Sequence, residues 1–306
     1  MLYLALAVTC SLAIAVIFKI SEHRGLDRVA LLTVNYAVAF AMAGGLLAAG
    51  VGAVGDGLAL SPGLLALGVL TGALFIAGFV LFAYAIRVAG ISLATGVMRL
   101  AVALPFLASW FVWGEVPSLA QIIGLGVAGG AFFLIAQRHA PASAAHVADA
   151  ERVADDDHGD RWRVAGVLAL LFLAGGTVDI AMKTFDETFA ATNSRALFLL
   201  MVFGVAFGIG LVLVLSKGLR TGAWPSGATV AWGVVLGVVN YGSAEFILQA
   251  IARLSGPFVF PVNNIAIVIG AALIGVFVWG ERLSTANRLG LGLAALALVL
   301  LGMGRT

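Results

Sequence analysis

The chain has 306 residues, of which 62% are hydrophobic and 10% charged, with a mean hydropathy of +1.11. That much apolar surface exceeds what a water-soluble domain of this length uses, and it suits a bundle of bilayer-crossing helices. The formal charge of +2, without a basic cluster, gives no reason to expect a nucleic-acid partner, and a single cysteine, Cys10, excludes an intramolecular disulfide framework.

In chain order, apolar runs of spanning length cover 2–20, 29–50, 64–86, 91–113, 118–137, 164–182, 195–216, 228–250, 257–279 and 285–303. Each approaches the ~20 residues a helix needs to cross the hydrocarbon core. The first run has no Lys or Arg ahead of it, and its first basic residue, Lys19, comes at its far end. It reads as a retained span rather than a signal peptide. Buried core helices of a soluble protein are the alternative, but ten runs near twenty residues do not fit them. The predicted fold is an all-α integral membrane protein with ten transmembrane helices.

Five runs lie on each side of the polar stretch 138–163. Five is odd, so two copies of a five-helix unit must cross with opposite orientation, as in many secondary transporters with inverted repeats. The sequence repeats to match. Arg87-Val-Ala-Gly90 answers Arg253-Leu-Ser-Gly256, and Val112-Trp-Gly-Glu115 answers Val278-Trp-Gly-Glu281, both at an offset of 166 residues (87 to 253, 115 to 281). The match continues without a gap through Gly124-Leu-Gly126 and Gly290-Leu-Gly292. The expected organisation is a first repeat at 1–137, a polar linker at 138–163 and a second repeat at 164–306.

Glycine pairs Gly68/Gly72, Gly126/Gly130, Gly204/Gly208 and Gly233/Gly237 place small residues on one helix stripe, where neighbouring backbones can approach. The His and Asp residues of the linker have no spacing that defines a metal site. Twelve Lys and Arg fall in the loops after odd-numbered spans and four on the opposite side. By the positive-inside rule this count puts both termini outside the cytoplasm.

Ionisable residues inside spans, or at their ends, are functional candidates because charge is costly there. They are Lys19, Arg99, Asp179, Lys183 and Glu245. Glu245 suits a cationic group or a coupling proton, with a structural ion pair as its alternative. Arg99, eight residues into its span, suits an anionic group. Asp179 and Lys183, four residues apart on one helix face, could instead neutralise each other. Lys19 and Lys183 could snorkel to the interface. Tyr241, Asn263 and Asn264 add polar groups, and Pro257 and Pro261 suggest an irregular first turn before the asparagines. The first-half counterparts of this polar set are apolar, such as Phe79 for Glu245. The repeat motifs read as structural: Arg87 and Arg253 answer carbonyls of a last helical turn, and Ser118 and Ser284 cap helices with Glu115 and Glu281 close by.

No HExxH, GxSxG or Walker loop is present, so neither an enzyme nor a primary pump is indicated. No cofactor and no metal are expected. The inverted five-plus-five plan, with Trp-Gly-Glu at the ends of the fourth and ninth spans, resembles the drug/metabolite transporter superfamily and its EamA-like branch. The resemblance implies a central cavity lined by spans 1, 3, 4, 6, 8 and 9, and termini in the cytoplasm, against the charge count above. It also implies a multi-pass protein of the cell (inner) membrane, monomer or homodimer, with the lipid bilayer and a small-molecule substrate as partners and a coupling proton as an option. The expected activity is secondary active transport, as an exporter of a small polar or zwitterionic metabolite such as an amino acid. Substrate candidates are then Arg99, Asp179, Tyr241, Glu245, Asn263, Asn264, Lys183 and Lys19. Carriage of organic phosphates, nucleotide sugars or lipid-linked anions is the alternative, with a membrane enzyme or non-transporting scaffold as a remote one.

Overall fold

The computed structural model describes residues 1–50, 60–136, 158–280 and 283–303. Most of the polar linker, and Glu281 of the second Trp-Gly-Glu motif, lie outside the described residues. Among the described residues the chain forms eleven helices: α1 (Leu2–His23), α2 (Arg28–Ala48), α3 (Pro62–Ala89), α4 (Ile91–Leu100), α5 (Ala103–Phe111), α6 (Leu119–Ala136), α7 (His158–Thr188), α8 (Arg195–Thr221), α9 (Gly227–Ile251), α10 (Gly256–Trp279) and α11 (Thr285–Met303). Nine stretches are long and apolar enough to cross a membrane, with α4 and α5 together making one of them and α6 falling just short. The protein is an all-helical, multi-span membrane protein. Leu219, Phe277, Phe111 and Val212 remain exposed on the helix surfaces. Lipid tails solvate such side chains at no cost, whereas water would not.

Short polar residues start most of these helices. Asp27, Ser61, Ser118, Ser194, Ser226 and Ser284 each accept the N–H three residues on, at 3.1–3.2 Å. Each side-chain oxygen satisfies one orphan donor of a first turn. At Ser118 the bond is reciprocated, because Gln121 Oε1 accepts the Ser118 N–H at 2.9 Å. The glycines of the two Trp-Gly-Glu motifs, Gly114 and Gly280, share a left-handed backbone with φ of 69° and 65°. That conformation ends a helix and favours glycine over any residue with a Cβ.

Contacts divide the chain into two compact units, one of residues 1–77 and 181–254, the other of 78–180 and 255–306. In the first unit α9 packs on α1 and α2, and α2 packs on α8. Close approach depends on two of the predicted glycine pairs. A Cβ at Gly237 would stand 2.6 Å from Val38 Cβ, one at Gly233 2.7 Å from Val34 Cβ, and one at Gly68 2.8 Å from Met201 Cβ; one at Gly72 would strike the Val202 carbonyl. Gly126 and Gly130 meet nothing within 4 Å, so that pair is not a crossing point. Tyr36, Phe75, Phe203 and Tyr241 form an aromatic cluster, with centroids 5.9–6.5 Å apart in each pair that meets.

In the second unit α6 packs on α11, α10 on α5 and α11, and α4 on α6. The sequence predicts one unbroken helix over 91–113, but the helix breaks at Ala101 and Val102. Pro105 has no N–H to offer the Ala101 carbonyl, which accepts the Leu104 N–H at 3.0 Å instead. The break fits against Gly175 and Gly176 of α7: a Cβ at Gly176 would stand 2.6 Å from Leu104 Cβ and 2.9 Å from the Ala101 carbonyl oxygen. The irregular first turn expected near Pro257 and Pro261 does not form. Pro257 occupies the start of α10, and the helix continues through Pro261.

Candidate functional site

The candidate residues divide between the two units. In the first, Glu245 lies six residues from the last residue of α9, about 9 Å along the axis. Its Oε1 accepts from Arg195 Nε at 3.0 Å and from Gln249 Nε2 at 2.9 Å. The pair is neither sealed nor fully open, with 33% of the Arg195 side chain and 18% of the Glu245 side chain exposed. One turn outward, Arg253 Nη1 donates to the Gln249 carbonyl at 3.2 Å and to its Oε1 at 3.3 Å, and its guanidinium lies 4.3 Å over the Tyr3 ring. Tyr241, Glu245, Gln249 and Arg253 thus make a polar ladder at four-residue spacing. Tyr241, 4% exposed, keeps its hydroxyl without a hydrogen-bond partner among the described residues. It lies one turn before Glu245 on the same helix.

Arg195, the partner of Glu245, is not among the residues the sequence singles out. A signal for it existed. Ser194 caps α8, so Arg195 stands at the positive end of a helix dipole, while Glu245 lies inside the apolar run of α9. Each charge is unfavourable where it lies and needs a counter-charge.

Lys183, 1% exposed, donates from Nζ to Glu187 Oε1 at 2.6 Å. Its one-turn neighbour in that bond is Glu187. Lys19, in α1, is half-buried and engaged with the surrounding protein.

In the second unit, Arg99 is the last charged residue before the α4 break. Its Nη1 donates to Asn264 Oδ1 at 3.4 Å, and Asn264 Nδ2 donates to the Phe260 carbonyl at 3.1 Å. Asp179 lies one turn past Gly176, where the broken helix approaches α7. Asn263 Oδ1 is buried without a hydrogen-bond partner among the described residues. Glu115 also belongs here. Its Oε2 accepts the Gly256 N–H at 2.7 Å, so it caps α10, whose own N-cap residue, Ser255, makes no side-chain bond. The carboxylate thereby reaches a helix 141 residues away in sequence. Arg253 meets a last-turn carbonyl as expected, whereas Arg87 lies over the Tyr84 ring. Among the described residues no His, Cys, Asp and Glu cluster could hold a metal ion.

Spans, internal charges and a broken helix define the class: a polytopic helical membrane protein with polar groups inside its bundle. No known family model matches the chain. An uncharacterized protein of Haemophilus influenzae is 27% identical over 298 residues, 94% of this chain and 93% of its own. A candidate ribose uptake protein of Lactobacillus johnsonii, RbsU, is 28% identical over 106 residues, about a third of either chain (34% and 35%). A crystal structure with 14% sequence identity covers 99% of this chain and 96% of its own with a TM-score of 0.71, a likeness of fold alone.

Proposed function

We propose that this chain is a secondary transporter of a small polar metabolite, working by alternating access across the cell (inner) membrane. The observation that carries the reading is the set of ionisable side chains inside the spans or at their ends: Glu245 with Arg195 in one unit, Arg99 with Asn264 and Asp179 in the other. Charges inside membrane helices mark substrate or ion pathways far more often than inert packing. The broken α4–α5 helix supports it, since interrupted helices bring backbone and side-chain polar groups to the middle of transporter folds. The partial similarity to a protein named for ribose uptake supports solute transport rather than catalysis. Membership of the EamA-like branch of the drug/metabolite transporters rests on the repeated Trp-Gly-Glu motif and belongs to the same proposal.

An amino acid is the first substrate class, exported with a proton as the coupling option. A sugar is the second, favoured by the ribose-uptake similarity. Organic phosphates have less support, because Lys183, one of the three cations they would need, already meets Glu187. The test is flux in proteoliposomes, with amino acids, ribose and nucleotide sugars as solutes. Glu245→Gln is expected to lower amino-acid flux by roughly tenfold or more while the protein stays folded, because the substitution leaves Arg195 without its counter-charge. Undiminished flux at every pH tested would remove Glu245 from the mechanism.

A further inference from the structure

We infer that the Arg195–Glu245 ion pair is itself the ligand site, closed on itself when empty and opened by a zwitterion that takes one charge at each end. This rests on the transporter reading above and adds to it both a residue, Arg195, and a rule for which ligands bind.

Three observations carry it. The two charges meet through a single bond, Nε to Oε1 at 3.0 Å, which leaves the Arg195 terminal nitrogens and Glu245 Oε2 outside that bond. Both side chains are partly exposed, Arg195 as the first residue of α8 and Glu245 six residues inside α9. Such exposure fits a water-lined opening, because charge facing lipid is costly. The third is Tyr241, one turn before Glu245 on α9: more than nine-tenths buried, it holds a hydroxyl without a hydrogen-bond partner among the described residues. A ligand carboxylate beside Arg195 would accept that hydroxyl's proton in a hydrogen bond.

The selectivity follows from counting charges. A ligand with only a carboxylate takes Arg195 and strands Glu245; one with only an ammonium does the reverse. Stranding a charge in a poorly hydrated site is strongly unfavourable. A zwitterion replaces the internal pair with two external pairs and strands neither. A neutral sugar has no means to open the bridge. Gln249, donating to the same Glu245 oxygen, holds the carboxylate in place while Arg195 lets go.

The test is binding to the full-length protein in detergent, by calorimetry and thermal shift, independent of transport. The twenty proteinogenic amino acids are screened first. The tightest binder is then compared with its decarboxylated amine, its deaminated acid and D-ribose. The amine and the acid are each expected to bind at least about tenfold more weakly than the amino acid. Arg195→Gln and Glu245→Gln should each lose a similar factor. The charge-exchanged variant Arg195→Glu/Glu245→Arg, which keeps a pair for folding, should retain the preference for a zwitterion over both analogues. Melting temperatures of all variants identify any that fail to fold. Binding of no amino acid, an analogue as tight as the zwitterion, or an Arg195→Gln affinity within about twofold of the parent would overturn the inference. Flux of ribose or another solute in proteoliposomes would leave the transporter reading standing in each of those cases.

Discussion

Arg195 occupies a helix start whose dipole opposes its charge, Glu245 lies six residues inside α9, and each is made tolerable by the other. Tyr241 differs, because among the described residues its buried hydroxyl has no hydrogen-bond partner to offset its desolvation. An unpaired buried hydroxyl costs about 1–3 kcal/mol, so Tyr241→Phe is expected to leave the melting temperature unchanged or raise it. A clear loss of stability on thermal unfolding would mean the hydroxyl is paired after all. In the other unit, Arg99 and Asp179 flank the contact between the α4 break and α7, with Asn264 beside the guanidinium. A double-mutant cycle with Arg99→Gln and Asp179→Asn is expected to show a coupling of about 0.5–3 kcal/mol in unfolding free energy. Strict additivity would place the two residues in separate environments.

At the scale of elements, caps and glycine crossings do most of the positioning. Asp27 accepts the N–H groups of Val29 and Ala30 at 3.0 and 3.1 Å and pairs with Lys217 of α8. Partial burial pushes its carboxyl up, but the bonds from Lys217 and the two backbone groups prevail and hold it below the usual carboxylate range. Asp27→Ala is expected to cost about 1 kcal/mol. A lowered folded-state value means the stabilisation is complete above the unfolded value and fades as pH falls through the folded one. The gap between parent and variant should therefore hold near neutrality and close as pH drops below about 4. A gap that widens in acid would contradict the assigned pairing. Glycines divide by what surrounds them. Gly237→Val should destabilise by about 1–3 kcal/mol through overpacking against Val38 and the Asn35 carbonyl. Gly208→Ala, with nothing within 4 Å, should be neutral or stabilising by up to about 1 kcal/mol. Unfolding in detergent titrations separates the two.

For the whole molecule, the parity of the spans decides topology. α4 and α5 make one span together, and the 18 residues of α6 rise about 27 Å, at the short end of spanning length. Counting α6 as a crossing gives ten spans, and ten place both termini on one side. Reporter fusions at residues 1 and 306 are expected to report the same compartment. Opposite compartments would mean that α6 does not cross.

Apolar run lengths were enough to read ten crossing segments from the residues alone, because a bilayer demands about twenty apolar residues per helix and satisfies backbone groups only within the helix. Ser118 and Ser284 were legible as helix caps for the same local reason, as was the span end at the Trp-Gly-Glu motifs. The candidate charges Arg99, Asp179, Lys183 and Glu245 were visible as costs without visible partners. Who meets whom was decided only in three dimensions. Glu245 found Arg195, fifty residues away; Arg99 found Asn264; Glu115 capped α10. The break in α4–α5 was equally hidden, although Pro105 was in plain view, because the room for it comes from Gly175 and Gly176 on another helix. A helix is encoded by residues within a turn or two of one another, so a sequence displays it. An ion pair or a helix crossing depends on which faces the packed bundle brings together, and only the tertiary structure holds that information.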